Sequence, residues 1–259
     1  MSLILTDLKD RIGTIMFNNP AKRNCLSNAL LQEMVSAFEE FADHKARAVV
    51  IRAQPGVKVW SAGFDVNELP EPGRDPLAYY DPLAQVMREI QNFPAPVIAM
   101  IEGSVWGGAC DLSLTCDIAI GCPTASFTMT PARIGLPYNS AGIVHFLNVV
   151  GMRIAREMFF TAQPILAERA LQVGMLNHLV PTEVLEAYTY DSARKITENS
   201  PLSIAVLKEQ LRILSGSHPL SPDTFERIQG LRRRAYDSND YREGKNAFLE
   251  KRKPMFTGE

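Results

Sequence analysis

Apolar residues recur along this chain with two periods. "LILTDLKDRIGTIMFN" at the start has two β-prone runs around a polar turn, which predicts a hairpin. Leu30, Met34, Phe38 and Phe41 then fall at helical spacing behind Ser27, a residue suited to cap a helix. "RAVVIRA" and "APVIAMIEG" are apolar runs of strand length and read as buried strands. "QPGVKVWSAGFDVNEL" passes from a strand towards a helix, and "GSVWGGACD" leads from the second buried strand into a short helix. Between them "PEPGRDP" holds three prolines and a glycine, which predicts a mobile loop, and a helix follows that ends near Phe93. "DIAIGC" and "ASFTM" read as short strands. "SAGIVHFLNVV" and "MRIAREMFF" read as helices joined at Gly151, "LAERALQV" as a helix closed by Gly174, and "LNHLV" as a strand closed by Pro181. From about Thr182 the pattern is helical, and Ser221-Pro222 combines a capping serine with a first-turn proline.

Composition narrows the class. A chain of 259 residues with 46% hydrophobic and 22% charged residues fits a globular protein with a sizeable core. No linker or low-complexity segment divides it. The pattern predicts an α/β core of about 180–200 residues followed by a helical region. A net charge of −2 argues against a general nucleic-acid binder, and Arg232–Arg234 reads as a solvated helix face. Cys25, Cys110, Cys116 and Cys122 lack C-x-x-C spacing, so no metal site is expected and they read as buried thiols in a reducing compartment. The N-terminus lacks the pattern of a signal peptide, and no run reaches the ~18 apolar residues of a membrane helix. A cytoplasmic protein without membrane partners is the expectation.

The candidate chemistry lies in a near-repeat. "VWSAGFD" (59–65) and "VWGGACD" (105–111) share Val-Trp, two small residues and an Asp, and hold both tryptophans. One account is two similar turns that agree by chance. The other is a fold of repeated strand–strand–helix turns, two of which face one site. The start of a helix leaves N–H groups without internal partners and places partial positive charge there. Two such turns could meet an oxygen that becomes anionic during a reaction.

With "WSAGFDVNEL", "EGSVWGGACDLSLTCDIAI", "ASFTMTPARIGLPYNSAG", "ALQVGMLNHLV", the loop "NNPAKRNCLS" and the terminal "AFLEKRKP" in order, the chain resembles the crotonase (enoyl-CoA hydratase/isomerase) superfamily along nearly its whole length. The resemblance implies an α/β fold, a crotonase-like spiral of ββα repeats over residues 1–195, with a C-terminal helical trimerisation region over 196–259. It implies a homo-oligomer, trimer or dimer of trimers, acting on an acyl-CoA thioester. The enolate of that thioester would be held by the backbone N–H groups of Phe64 and Gly108. No cofactor is implied beyond the CoA of the substrate.

The same resemblance bears on the reaction. Hydratases of the superfamily use two glutamates, which fall here at Asp111 and Pro131. Proline has no acid–base group, so paired hydration chemistry lacks a member. Asp111 also reads as an acid in a first helical turn that favours the dipole. The wall expected from Phe64, Trp106, Thr130, Pro131, Tyr138 and Asn139 holds no strong base. Decarboxylation of a malonyl-type thioester makes an enolate without one. Within the superfamily, "PGRDPLAYYDPL", "MTPARIGLPYN" and "ERIQGLRR" resemble a decarboxylating branch, which implies methylmalonyl-CoA going to propionyl-CoA and CO2. By that resemblance Tyr138 and Thr130 face the substrate. Phe64 stands where the branch has histidine, and Asp111 where it has glutamate. Lys22, Arg23, Ala62, Gly63, Asp65, Val66, Phe248 and Lys251 are the expected CoA and substrate contacts, although Lys22 and Arg23 also fit solvated loop cations.

Two alternatives stay open: hydration or isomerisation using Asp111, and a non-catalytic binding protein of the same fold. Phe64 also fits the dehalogenases of the superfamily, which need an aspartate nucleophile and a histidine base. None of His44, His145, His178 and His218 falls in such a motif. His145 and His178 read as structural, and His44 and His218 as surface residues.

Overall fold

The structure, a computed structural model, describes residues 2–71, 74–75, 78–216 and 221–258. Part of the proline-rich loop (Pro72, Gly73, Pro76) and His218 lie outside the described residues. The predicted hairpin is present: β1 (Ile4–Lys9) pairs antiparallel with β2 (Ile12–Phe17) across Asp10 and Arg11, both with positive φ. That turn twists in the hand a two-residue hairpin requires. α1 (Asn28–Asp43) starts at Ser27, whose hydroxyl accepts the Leu30 N–H, and it buries Leu30, Met34, Phe38 and Phe41 among others. Each such side chain contributes about 1.5–3 kcal/mol of hydrophobic stabilisation.

Repeats then build two sheets at once. β3 (Ala48–Arg52), β5 (Val97–Ile101) and β7 (Ile118–Gly121) run parallel in a six-stranded sheet of order β1-β2-β3-β5-β7-β10. Their successors β4 (Val59–Ser61), β6 (Ser104–Trp106) and β8 (Ser126–Thr128) form a second, four-stranded sheet with β9 (Ile165–Leu166). Three helices follow these pairs: α2 (Pro82–Asn92), α3 (Gly108–Thr115) and α4 (Ser140–Thr161). This alternation is the expected ββα spiral. β3 and β5 are buried at every position, as their unbroken apolar runs require.

α4 contains non-helical backbone at Gly151, where two helices were predicted to join. α5 (Ala167–Gln172) is followed by Gly174 at positive φ, and β10 (His178–Leu179) closes the first sheet beside β7. The helices α6 (Leu185–Glu198), α7 (Pro201–Ser215), α8 (Pro222–Tyr236) and α9 (Asn239–Leu249) complete the described chain. Ser221 caps α8 as its sequence predicts. Among the described residues no helix is long and apolar enough to cross a membrane.

One expectation needs correction. The segment after "WSAGF" forms only a 3-10 turn, Val66–Glu68, capped by the Asp65 carboxylate. Only the second of the two similar turns opens an α-helix. The turn stops at Leu69, which is extended ahead of Pro70, as a residue preceding proline favours.

Candidate active site

The near-repeat pairs in space: β4 lies parallel to β6 in the second sheet. Trp60 is fully buried and donates Nε1–H to the Met100 carbonyl at 2.8 Å, fixing the first turn to the other sheet. Trp106, its counterpart, lines a cavity. Gly63 sits at φ +82 against the second turn. A Cβ there would stand 2.4 Å from the Trp106 carbonyl oxygen and 3.3 Å from the Gly108 nitrogen. Only glycine tolerates both that dihedral and that approach.

The two turns therefore bring the expected donors together. Leu26 and Phe64 form a parallel bridge in which Leu26 N–H donates to the Gly63 carbonyl and Asp65 N–H to the Leu26 carbonyl. Strand alternation then aims the intervening Phe64 N–H away from Leu26. Gly108 is the first residue of α3, so its N–H has no acceptor within the helix. A Cβ on Gly108 would lie 3.7 Å from the Phe64 nitrogen. Both residues line one cavity of about 710 Å³.

Of the residues singled out in the sequence, Lys22, Arg23, Ala62, Asp65, Val66, Thr130, Pro131, Tyr138 and Phe248 also line it. Gly63 lies behind the Phe64 peptide. Lys251 is exposed and is not part of this wall, and Arg252 beside it is held by Glu243 and Glu250. Sequence reasoning missed Cys25, Leu83, Arg133 and Leu136 on the wall. Arg133 is tied to the Ala162 carbonyl, and burial, with Asp65 next in size, pushes the Cys25 thiol pKa up. No sequence signal separates these four from ordinary loop and core residues.

Asp111 departs from the picture of a free acid. It is 2% exposed, and both its oxygens are occupied. Tyr138 donates its hydroxyl to Oδ2 at 2.8 Å, and His145 Nδ1 stands 2.7 Å from Oδ1. Burial, then the charge of Asp111, drives the Tyr138 pKa well above its ordinary value. Tyr138 therefore keeps its proton at any physiological pH. His145, expected to be a structural residue of the helix, is a direct partner of Asp111. The helical pattern of "SAGIVHFLNVV" could not show which face of α4 meets α3. His44 is exposed at the end of α1 and His178 lies on the edge strand β10, as expected. Among the described residues no group of three or more His, Cys, Asp or Glu is gathered as a metal ion would need.

Comparison with known proteins places the whole chain in a family. The family model described as enoyl-CoA hydratase/isomerase matches residues 7–259. The chain is 49% identical to methylmalonyl-CoA decarboxylase of Escherichia coli (strain K12) over 249 residues, 96% of this chain and 95% of the relative. It is 36% identical to human mitochondrial enoyl-CoA hydratase domain-containing protein 3, over 96% of this chain and 82% of the relative. A solved structure of methylmalonyl-CoA decarboxylase in complex with 2-nitronate-propionyl-CoA superposes with a TM-score of 0.97 at 48% identity, covering 99% of each chain. The chain belongs to the enoyl-CoA hydratase/isomerase family and has its crotonase fold.

Proposed function

We propose that this protein decarboxylates methylmalonyl-CoA to propionyl-CoA and CO2. The carboxylate leaves as CO2, and the C–C bonding pair becomes the enolate of the thioester. The Phe64 and Gly108 N–H groups hold the enolate oxygen, and a proton taken up at carbon completes the product. The observation that carries the reading is the pairing of two unspent backbone donors with a wall that offers no free base. Pro131 cannot act as one. Asp65 is engaged as a cap, and Asp111 has both oxygens occupied. Similarity to the decarboxylase over nearly the whole chain supports the same reaction. Each oxyanion donor is worth about 10²–10³ in rate in acyl-transfer enzymes.

In this reading Tyr138 and Thr130 face the acyl end. Ala62, Asp65, Val66, Lys22, Arg23 and Phe248 line the path of the CoA, with the two cations meeting its phosphates, while Gly63 backs the Phe64 peptide. Lys251 reaches a phosphate only across a subunit boundary. Residues 196–259 form the assembly region on the 1–195 core, in a trimer or dimer of trimers. Leu202, Leu207, Leu211 and Ile213 of α7 are more than half exposed in the single chain, and contact with a second copy covers them. The protein works in the cytoplasm and needs no cofactor beyond the CoA of its substrate.

Mass spectrometry of the protein incubated with methylmalonyl-CoA tests this, with malonyl-CoA, ethylmalonyl-CoA and crotonyl-CoA in parallel. Propionyl-CoA appearing while crotonyl-CoA stays intact is the expected result. Water added to crotonyl-CoA, with every malonyl thioester untouched, overturns it in favour of hydration.

A further inference from the structure

Behind Asp111 lies a second cavity of about 310 Å³, bounded by α2, the start of α4 and α8. Leu83 lines both cavities, and Asp111 and His145 face this one. The His145 side chain keeps 15% exposure, against 3% for Asp111. On the far side of the ring, Gln91 Nε2 is 2.9 Å from His145 Nε2. With the amide donating to Nε2, the ring proton sits on Nδ1 and goes to Asp111 Oδ1. A continuous line of hydrogen bonds thus runs Gln91–His145–Asp111–Tyr138, from the second cavity to the wall of the first.

We infer that His145 is a positioning residue for Tyr138, acting through Asp111, with Gln91 fixing its tautomer. The inference rests on the reading that Tyr138 faces the reacting acyl group. A buried carboxylate is stable only while its oxygens are hydrogen-bonded. His145 supplies the bond at Oδ1 and so fixes the plane of the carboxylate. That plane sets where Oδ2 meets the Tyr138 hydroxyl. Without His145 the carboxylate is free to turn, and Tyr138 loses the fixed acceptor that defines its orientation.

Other charged groups share the space around the ring. Asp75 and Asp81 come from the loop before α2, Arg88 from α2 and Arg232 from α8. Thr115 of α3 lies 3.2 Å from Nδ1, and Arg232 forms a bidentate pair with Asp75. Burial pushes the Asp81 carboxyl up.

The test is steady-state kinetics with methylmalonyl-CoA on the full-length protein, with thermal melts to confirm folding. His145→Ala is expected to lower kcat by about 10–100-fold, the loss typical when an orienting partner of a functional side chain is removed. KM should stay unchanged, since the CoA contacts lie elsewhere. His145→Asn places an amide donor where Nδ1 stood. It should restore most of kcat. An unchanged kcat in His145→Ala overturns the inference. So does a folded His145→Asn no better than Ala. Tyr138→Phe serves as the reference. If it is harmless, the underlying reading of Tyr138 fails. If it is damaging while His145→Ala is not, the role of His145 alone fails.

Discussion

Gly142 gives the sharpest test of whether Tyr138 must sit where it does. It lies in the first turn of α4, and a Cβ there would stand 2.3 Å from Tyr138 Cε1 and 2.6 Å from Asp111 Oδ2. Carbon atoms rest about 3.5–4.0 Å apart, so the ring must retreat by more than about 1 Å. Phe159 blocks its path at a centroid distance of 5.6 Å, and Phe146 in turn backs Phe159 at 4.9 Å. Overpacking of this kind costs about 1–3 kcal/mol. Replacing a helical glycine by alanine returns about 1 kcal/mol. The net loss for Gly142→Ala is no more than about 2 kcal/mol, a fall in Tm of a few degrees. The effect on catalysis is of another size. A displacement of about 1 Å in a positioned group can cost about 10² in rate. We therefore expect kcat to fall about a hundredfold with KM little changed and the protein folded. Gly230→Ala is the control: it adds a methyl to an exposed stretch of α8 where nothing lies within 4 Å. It should keep full activity. A Gly142→Ala enzyme with the kcat of the unmodified protein would refute a catalytic placement of Tyr138.

Three further predictions concern other parts of the molecule. Gly63→Ala drives a methyl into the Trp106 carbonyl and forces positive φ on alanine, so the two turns must part. Its kcat should drop by at least the ~10²–10³ worth of one donor, measured by the same product assay. Leu207→Glu with Leu211→Glu on α7 should lower the mass found by light scattering to that of a single chain; an unchanged oligomer places the interface elsewhere. Glu243 is held down to about 2 by Arg252 and the Met255 N–H. A depressed acid stabilises the fold above its unfolded value of 4.5, and the gain is lost as pH falls through about 2. Hydrogen-exchange protection in residues 252–258, taken relative to the intrinsic rate at each pH, should therefore fall between pH 4.5 and 2, and Glu243→Gln should abolish that loss.

Much of the fold was legible because local signals agreed with the final packing. Ser27 and Ser221 cap the helices they precede, and Gly151 and Gly174 interrupt or end helices as their lack of a side chain allows. The near-repeat was readable as two turns but not as two different turns. The first stops before Pro70, and the matched acids then play different parts. Asp65 folds back on Asn67, whereas Asp111 is drawn to Tyr138 from a distant element. Only the second is a long-range fact, and sequence periodicity carries no information about it. The partnership of His145 with Asp111 was hidden for the same reason, since it joins α4 to α3 across 34 positions. The cavity residues Cys25 and Leu83 were hidden because an apolar wall is composed like a core.

The division of labour in the site explains how Phe64 can stand in the oxyanion turn. The donor there is a peptide N–H fixed by backbone: the Leu26 bridge on one side and the Gly63 contact with Trp106 on the other. The side chain at 64 is free to vary without moving that donor. Tyr138 has no such backing. Its oxygen is placed by a side chain, Asp111, which is placed by another, His145, and that by Gln91. The imidazole stands 2.7 Å from Oδ1 of that acid. In the proposed reaction the enolate is stabilised by backbone donors alone. The placement of Tyr138 rests on a chain of side chains, where one change propagates to the end. Selectivity among malonyl thioesters should accordingly respond to changes at Gln91, His145 and Asp111 more than to changes at Phe64.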